Sequence, residues 1–342
     1  MQNRITTRKN LLNSNGELTE KGYATALLLD YNRKDIKANF LRIKEWDYYL
    51  VMNEDYAVAL TIADNSYMGL LSISLLDFKS AWFKTTSVIK PFTLGKLGLP
   101  ASSKSGDIVY KDKRVTMAFL HEGNKRRLTC SMKKFSAGKD FSCDFILFDE
   151  PKDSIVIATP FPDNKKAFYY NQKINCIRSA GTASLGEQTF HFNEGSFATL
   201  DWGRGVWTYK NTWYWGSASG LLKGKTVGFN IGYGFGDTSA ASENMLFYEG
   251  KAHKLDQVEF HIPMGGDKHH YLQPWRFTSN DRRFEMAFTP ILDRADYTSV
   301  GIIASDQHQV FGKFNGTVVL DDGTILELKD FLGFAERVYN RW

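Results

Sequence analysis

Apolar and polar residues alternate with a period of two along most of the chain, and no other feature restricts the fold as strongly. Successive side chains of a β-strand point to opposite faces, so this period predicts half-buried strands. The alternation is clearest in residues 56–63, 71–75, 115–119, 258–262 and 284–288. Near the C-terminus, Asp321-Asp322-Gly323 separates two further runs and predicts a hairpin turn.

Composition supports the same fold class. Aromatic residues make up 14% of the 342 residues, and 28 glycines stand against 8 prolines. Aromatic side chains favour pleated surfaces, and glycine serves turns and close strand approaches. We therefore expect an all-β protein built as sandwiches or barrels. A short C-terminal helix is expected as well, because seven apolar residues there follow i, i+3 and i+4 spacing: Leu328, Phe331, Leu332, Ala335, Val338, Tyr339 and Trp342.

One predicted strand, residues 227–236, has an aromatic or aliphatic residue at every odd position and glycine at four of its five even positions. Glycine weakens a strand, so something must approach the bare face closely or need the space beside it. A ligand cavity and a strongly coiled corner are both compatible with the pattern.

Short segments recur at a fixed spacing, which indicates an internal repeat. Gly181-Thr182 with Leu185 matches Gly316-Thr317 with Leu320 at an offset of 135 residues, and the same offset places Asp201 on Glu336 and Trp207 on Trp342. A second match, residues 119–128 with 246–255, has an offset of 127. The repeat predicts two β-domains, residues 1–197 and 198–342, each of ordinary domain size.

Charge is distributed unevenly along the chain. The net charge is +5, yet the segment Lys79–Lys139 holds 14 Lys and Arg against three acids. Such a face could attract an anionic membrane surface or an anionic ligand. It could equally be the solvated edge of a sheet, where lysines prevent edge pairing. Nucleic acid is not expected as a partner, since no nucleic-acid-binding motif accompanies the excess.

Several functional classes find no support. The chain has no stretch near the ~20 apolar residues of a membrane-spanning helix, and its first residues lack a secretory apolar core. The three cysteines form no CxxC pair, so a reduced cytoplasm is the expected location. No cofactor is expected, because P-loop and dinucleotide motifs are absent. No metal is expected either, since the histidines of residues 261–270 lack a recognised ligand spacing.

Three segments resemble a microbial family, domain-of-unknown-function family 2804, and the resemblance spans nearly the whole chain. They are Lys44-Glu45-Trp46-Asp47-Tyr48-Tyr49, then residues 200–220, and Gly333-Phe334-Ala335-Glu336-Arg337. The middle segment is the most specific, with Asp201-Trp202-Gly203-Arg204 running on to Trp213-Tyr214-Trp215-Gly216.

More distantly, the layout resembles the tandem lipocalin-like group, which includes carotenoid 1,2-hydratases, tocopherol cyclase, AttH-type proteins and some fungal Diels–Alderases. Residues 45–48 match three of four positions of that group's E-W-W-Y signature, with Asp47 in place of a tryptophan. Residues 201–203 lie where the group has a D-H-E/Q-W-G type segment, here without the histidine. The resemblance implies two tandem lipocalin-like antiparallel β-barrels with an apolar-ligand pocket. In some members it also implies acid-initiated hydration or cyclisation of an alkene.

Asp201 and Arg204 are the candidate catalytic residues, because four of the eight tryptophans surround them within 14 positions. An aromatic-walled pocket would favour the protonated form of Asp201 and make it a general acid, with Arg204 as orienter or anion clamp. Alternatively, Asp201 and Arg204 form an ion pair that clamps the domain junction. The candidate ligand-binding residues are Glu45, Trp46, Trp202, Trp213, Tyr214 and Trp215.

Three functions are therefore open. The first is a protein that binds a lipid- or isoprenoid-like ligand near the junction of the two domains. If this protein is an enzyme, it transforms the ligand by acid-initiated hydratase, cyclase or isomerase chemistry. The second is a non-catalytic carrier or interaction module that uses the basic face. The third is a carbohydrate-binding module, since tryptophan faces also stack on sugars.

Overall fold

The computed structural model describes residues 2–342, with 65% of the chain in strands and 2% in helical turns. The N-terminal region holds three short strands, β1 (Lys9–Asn10), β2 (Gly22–Ala24) and β3 (Leu29–Asp30). Two 3₁₀ turns follow, Arg33–Asp35 and Phe40–Arg42. Within residues 2–342 no helix is long and apolar enough to cross a membrane.

The first large sheet has thirteen strands, β2 and the twelve strands from β4 to β15. Their bounds are β4 (Ile43–Met52), β5 (Tyr56–Asp64), β6 (Met68–Asp77), β7 (Trp82–Pro91), β8 (Ile108–Lys111), β9 (Val115–Glu122), β10 (Lys125–Ser136), β11 (Lys139–Phe148), β12 (Ile155–Phe161), β13 (Asn164–Leu185), β14 (Gln188–Phe192) and β15 (Phe197–Val206). The main path through this sheet runs β7-β6-β5-β4-β15-β13-β11-β10-β9-β8.

The second large sheet has nine strands, ordered β19-β18-β17-β16-β26-β25-β24-β23-β20. The bounds are β16 (Lys210–Leu222), β17 (Lys225–Tyr233), β18 (Met245–Tyr248), β19 (Lys251–Lys254), β20 (Val258–His261), β21 (Met264–Gly265), β22 (Lys268–His269), β23 (Trp275–Ser279), β24 (Phe284–Val300), β25 (Ile303–Val319) and β26 (Ile325–Arg341). β21 and β22 pair only with each other. Both large sheets are antiparallel and curl into half-barrels, consistent with tandem lipocalin-like domains, so the expected all-β class is confirmed.

The two sheets share a strand order around their centres. Reading outwards, β4, β15 and β13 of the first sheet correspond to β16, β26 and β25 of the second. In this correspondence Asp201 pairs with Lys173, and Glu336 pairs with Gln309. The 135-residue offset thus links strands at equivalent places in the two sheets. The 127-residue offset does not, because it matches β9 and β10 with β18 and β19, which lie at opposite ends of the strand order.

Two glycines show the repeat at atomic detail. Gly181 has a φ of +149° and Gly316 a φ of +154°, values that L side chains rarely adopt. A Cβ on Gly181 would lie 2.1 Å from the carbonyl oxygen of Asp144, and one on Gly316 would lie 2.1 Å from that of Glu285. Both halves therefore require glycine at the same place for the same reason.

The change from one sheet to the other occurs at residues 207–209. β15 lies inside the first sheet, between β4 and β13, and the second sheet begins with β16 at Lys210. The domain division at residue 198 stays a prediction; the strand that follows it pairs with first-sheet strands along its length.

The expected C-terminal helix is wrong, since residues 325–341 form the long strand β26. Asp330 adopts a φ of +49°, and the pairing of β26 with β25 shifts register there, which marks a β-bulge. Leu326 and Leu328 are buried before the bulge and Phe331 after it. The extra residue changes the phase of a period-two pattern and so produces the i, i+3 spacing of a helix. The hairpin at residues 321–323 is confirmed between β25 and β26.

The glycine-rich strand β17 packs against its surroundings through its bare face. A Cβ on Gly228 would lie 2.3 Å from Sγ of Cys176 on β13, and one on Gly232 would lie 2.3 Å from Oε1 of Glu243. The expectation of close approach on this face is confirmed, and what approaches Gly228 is the first sheet. Asn175 adds two hydrogen bonds across the same junction, to Oγ of Ser217 at 2.7 Å and to the carbonyl of Phe229 at 2.9 Å.

Candidate functional site

β15 carries the predicted catalytic residues on two different faces. Residues three apart in a strand point in opposite directions, which separates Asp201 from Arg204. The Arg204 guanidinium donates to Oδ1 of Asp47 at 2.9 Å and to the carbonyl of Pro100 at 2.8 Å. The alternative of an Asp201–Arg204 ion pair is therefore wrong.

Arg204 belongs to a polar group in the interior of the first half-barrel. Its guanidinium lies 4.3 Å from the ring centroid of Trp202, and both side chains are fully buried. Burial raises the pKa of Asp47, and the charge of Arg204 opposes the rise. Glu45 faces the same interior, where it accepts hydrogen bonds from the Tyr31 hydroxyl at 2.7 Å and from Arg33. Glu45 also borders an open cleft of about 440 Å³.

Asp201 faces the second sheet, at the junction between the two halves. Its Oδ1 accepts a hydrogen bond from the Asn171 amide. Beside it, Lys173 donates to Oε2 of Glu243 at 2.7 Å, an ion pair in which both side chains are 1% exposed. Burial raises the pKa of Glu243, Lys173 lowers it, and Asp201 adds to the rise. A second carboxylate thus lies within the electrostatic reach of Asp201.

Glu336 is the third carboxyl group of the junction. Its Oε1 accepts from Nε1 of Trp213 at 3.1 Å, and its Oε2 accepts from Nε2 of Gln309 at 2.9 Å. Burial raises the pKa of Glu336 to about 7; the bond from Trp213 and the charge of Arg294 oppose the rise, and the charge of Asp201 adds to it. A carboxyl group with a pKa near neutrality can give up or take up a proton at physiological pH.

Asp201 and Glu336 are equivalent residues of the two sheets, and their neighbours correspond as well. Register pairing places Tyr48 beside Asp201 and Trp215 beside Glu336. Tyr48 and Trp215 contact each other edge-to-face, with centroids 5.9 Å apart. Lys173 lies 4.8 Å from the centroid of Trp215. Its equivalent Gln309 accepts a 3.4 Å hydrogen bond from Tyr48, so the two halves meet through matching side chains.

Aromatic rings surround this group of carboxyls. Trp46 lies flat over Gly203, where a Cβ would come within 2.2 Å of the ring, and stacks on Tyr169 with centroids 5.9 Å apart. Trp207 contacts Trp46 at 5.8 Å and Trp213 at 5.4 Å. Trp46 and Trp213 are only half-buried. Asp201 and Glu336 are both buried, with 8% and 5% exposure.

The structure therefore divides the predicted site residues into three places. Tyr214 lies in the interior of the second half-barrel, stacked on Tyr233 with centroids 4.5 Å apart. Glu45, Trp202 and Arg204 lie in the interior of the first. The junction holds the remaining four, Asp201, Trp46, Trp213 and Trp215.

Residue-level reasoning missed three charged residues of the junction. The repeat is enough to identify Glu336, because the 135-residue offset makes it the equivalent of Asp201. Lys173 and Glu243 had no comparable signal, since a lysine or glutamate in a strand is ordinarily exposed. Within residues 2–342, no three His, Cys, Asp or Glu side chains come together as a metal-binding group.

The basic segment Lys79–Lys139 is spread over β7 to β11 and is partly neutralised by acids that lie outside it. Arg127 pairs with Asp144 at 2.7 Å, and Arg126 pairs with Glu150 at 2.7 Å. Lys104 also contacts Glu150, and Lys79 pairs with Asp55 at 2.8 Å. The excess counted along the sequence is therefore smaller on the folded surface.

Three solved structures are similar to this chain. A protein described as AttH from Nitrosomonas europaea is 14% identical, with a TM-score of 0.54 over 90% of this chain and 96% of its own. Kievitone hydratase from Nectria haematococca is 10% identical, with a TM-score of 0.47 over 98% of each chain. CghA is 9% identical, with a TM-score of 0.44 over 98% of this chain and 97% of its own.

These identities are low, so the likeness to the AttH structure concerns the fold alone. It confirms the predicted resemblance to the AttH-type, tandem lipocalin-like architecture. No curated protein matches the sequence. The family model described as domain of unknown function (DUF2804) matches residues 2–342, and the chain therefore belongs to that family.

Proposed function

We propose that the junction binds an apolar ligand and transfers a proton to it from Glu336, with Asp201 as the second carboxyl group of the site. One observation carries the proposal: Glu336 is a buried carboxyl whose pKa is raised to about 7, and it lies against an aromatic wall. General acids work best when their pKa lies near the working pH.

The wall supports an apolar ligand. Trp46 and Trp213 are half-buried and lie near the carboxyls, so part of each side chain remains open to a partner. Aromatic faces bury large apolar area and attract developing positive charge. An alkene or an isoprenoid-like chain has both properties, because it is apolar in the ground state and cationic after protonation.

The reaction balances with the residues of the site. The proton leaves the Glu336 carboxyl and forms a C–H bond with the two π electrons of the alkene, which leaves a carbocation on the neighbouring carbon. Water then adds with loss of a proton, or a neighbouring C–H bond gives up its proton to restore a double bond. In either case the carboxylate of Glu336 or Asp201 takes up the released proton.

The first test is mass spectrometry of an organic-solvent extract of the gently purified protein. We expect a stoichiometric apolar molecule, reduced in a Trp46→Ser, Trp213→Ser variant that removes the wall. A parallel titration uses the neutral fluorophore N-phenyl-1-naphthylamine. An empty extract together with no uptake of this probe would contradict the apolar site.

The second test separates catalysis from carriage. With the extracted molecule as substrate, Glu336→Gln should lower conversion by about 10² or more while leaving its binding intact. Glu54→Gln, which alters an exposed acid, is the matched control and should leave conversion unchanged. Binding without conversion in the unaltered protein would identify a carrier and refute proton transfer.

A further inference from the structure

One end of the molecule exposes large apolar side chains from four separate segments. We call this surface the apolar rim and define it as Phe40, Phe92, Leu94, Tyr209, Val300 and Ile302. Phe92 is 66% exposed and Ile302 is 75% exposed. Exposed apolar side chains are common singly, whereas a group of them at one end indicates an interaction surface.

Direct contacts bring the segments of the rim together. The Tyr209 hydroxyl donates to the carbonyl of Ile302, at the tip of the β24–β25 hairpin. Arg42, two residues after Phe40, lies 5.5 Å from the centroid of Tyr209. The backbone N–H of Phe92 donates to the carbonyl of Tyr67 at 2.8 Å.

Lys44 links these contacts across the two sheets. Its Nζ lies 4.0 Å from the centroid of Tyr67 and 5.0 Å from that of Trp342. The backbone N–H of Trp342 donates in turn to the carbonyl of Tyr209 at 3.0 Å. The rim therefore crosses the ends of both half-barrels.

Positive charge accompanies the rim. The segments 33–42, 92–98, 209–210, 297–303 and 341–342 hold seven basic residues and one acid, Asp35. The seven are Arg33, Lys34, Lys37, Arg42, Lys96, Lys210 and Arg341, of which Arg33 is paired with Glu45 outside these segments. The turn at residues 162–166 contacts Lys37 through Lys166 and adds two lysines and one aspartate. Apolar side chains among cations are complementary to the interface of an anionic bilayer.

The backbone at the rim also favours a functional explanation. Phe92 has a φ of +49° and Leu94 a φ of +52°, a region in which bulky residues are uncommon. Glycine or asparagine would fit there with less strain, yet both positions carry exposed apolar side chains. Strain of this kind persists only where the surrounding structure holds the backbone in place.

We infer that this end of the protein docks peripherally on an anionic lipid bilayer, with the apolar rim in the interfacial layer and the surrounding cations over the headgroups. The docking itself is independent of the proposed function. Its consequence for the ligand rests on that function: Trp207 and Trp342 contact each other beneath the rim, 6.2 Å between centroids, and continue into the junction site. The rim and the aromatic wall are therefore connected through packed aromatic side chains.

The test is flotation of the full-length protein with vesicles of phosphatidylcholine, alone or mixed with 30% phosphatidylglycerol, in 0.1 M NaCl. We expect binding to the anionic vesicles and at least tenfold weaker binding to the neutral ones. Raising NaCl to 0.5 M should weaken the anionic binding about tenfold, because salt screens surface charge.

Two double variants test the rim itself. Phe92→Asn, Leu94→Asn suits the left-handed backbone, and Val300→Ser, Ile302→Ser alters the hairpin tip; each should lower vesicle binding about tenfold. Near-UV circular dichroism verifies that both stay folded. Ile325→Ser is the matched control, since Ile325 is 67% exposed at the opposite end of β26, and it should bind as the unaltered protein does.

Several results would overturn the inference. One is the absence of binding to anionic vesicles, and another is binding that both rim variants retain. A loss caused instead by Val109→Ser, in the Lys79–Lys139 segment, would assign docking to that face. A dimer in light scattering that only the rim variants abolish, without vesicle binding, would make the rim a contact between copies of this chain. Uptake of N-phenyl-1-naphthylamine in solution reports on the junction separately.

Discussion

At the scale of single residues, two equivalent carboxyls of the junction have different neighbours. Asp201 lies beside Lys173, whereas Glu336 lies beside the neutral Gln309. Glu336 also reaches its aromatic neighbour with a longer side chain and accepts a bond from Trp213. Replacement of a cation by an amide leaves Glu336 with less compensation for burial, and its pKa rises to about 7.

This difference predicts a pH-dependent effect of Glu336→Gln on stability. Glu336 has a higher pKa in the folded state, about 7, than the ordinary value of a glutamate carboxyl, 4.5. The folded state therefore binds the proton more tightly, and ionisation destabilises it as pH rises from about 4.5 to 7. Glutamine cannot ionise. Between pH 5 and pH 8, the free energy of unfolding of the variant should therefore rise, relative to that of the unaltered protein, by up to about 3 kcal/mol.

Urea unfolding at pH 5, 6, 7 and 8 measures this gain. The Gln309 amide can rotate to offer its oxygen to the new amide, so both hydrogen bonds of the position can be kept. Glu54→Gln should show no pH-dependent difference. A difference between Glu336→Gln and the unaltered protein that stays constant over this range would show that Glu336 is ionised throughout.

Asp201 illustrates what residue types reveal and what they leave open. The tryptophan-rich segment around it predicts a site, and the structure places Asp201 at the junction of the two sheets beside the carboxyls of Glu243 and Glu336. Side chains separated by an odd number of residues in a strand point to opposite faces. The three-residue separation of Asp201 and Arg204 therefore already predicts that they lie on opposite faces of β15. Their partners, Asn171 and Asp47, come from other strands. No local pattern specifies such long-range pairs.

At the scale of elements, strands were predictable and their irregularities were not. The period of two identifies strands because burial on one face requires it. The bulge at Asp330 breaks that period within a single strand and imitates a helix. Positive φ at a non-glycine residue has little signature in sequence, so the true length of β26 had to come from the structure.

Gly181 and Gly316 give a prediction for the repeat. Alanine at either position would bring a Cβ within 2.1 Å of a backbone oxygen in a positive-φ conformation. Each substitution should lower the free energy of unfolding by about 3 kcal/mol or more, and by similar amounts in the two halves. Chemical denaturation of the two variants measures both values.

Gly138→Ala is the control for backbone conformation alone. Gly138 has a φ of +80°, but a Cβ there meets nothing within 4 Å. Gly138→Ala should therefore lower the free energy of unfolding by about 1 kcal/mol. Equal losses at Gly138, Gly181 and Gly316 would show that the close approach of the neighbouring strand contributes nothing.

At the scale of the whole molecule, the larger apolar core extends from the first half into the second, which also has an apolar cluster of its own. Trp215, Phe235, Phe311 and Phe334 of the second half belong to the same apolar cluster as the core of the first. The buried pair of Lys173 and Glu243 also crosses the junction. Separate domains joined by a flexible linker would share neither feature.

We therefore expect both halves to unfold in one transition, with calorimetric and van't Hoff enthalpies that agree. Lys173→Met leaves Glu243 without its partner and should lower the free energy of unfolding by about 3–5 kcal/mol. Protonation of Glu243 would make this loss smaller. The whole transition should shift. Lys251→Met, at an exposed position, should change stability by less than about 0.5 kcal/mol. Two resolved transitions, of which Lys173→Met moves one, would contradict a shared core.

The pairing of Tyr48 with its own equivalent Trp215, and of Trp207 with Trp342, has a consequence for how such a site can arise. Contacts between a residue and its counterpart are the mark of an isologous two-fold interface. In a homodimer, every substitution at such an interface occurs twice, so equivalent positions always carry the same residue. Joining the two halves in one polypeptide removes that restriction, so Asp201 with Lys173 and Glu336 with Gln309 can occupy equivalent places. The repeat therefore keeps an equivalent backbone in both halves while the side chains of the junction differ between them.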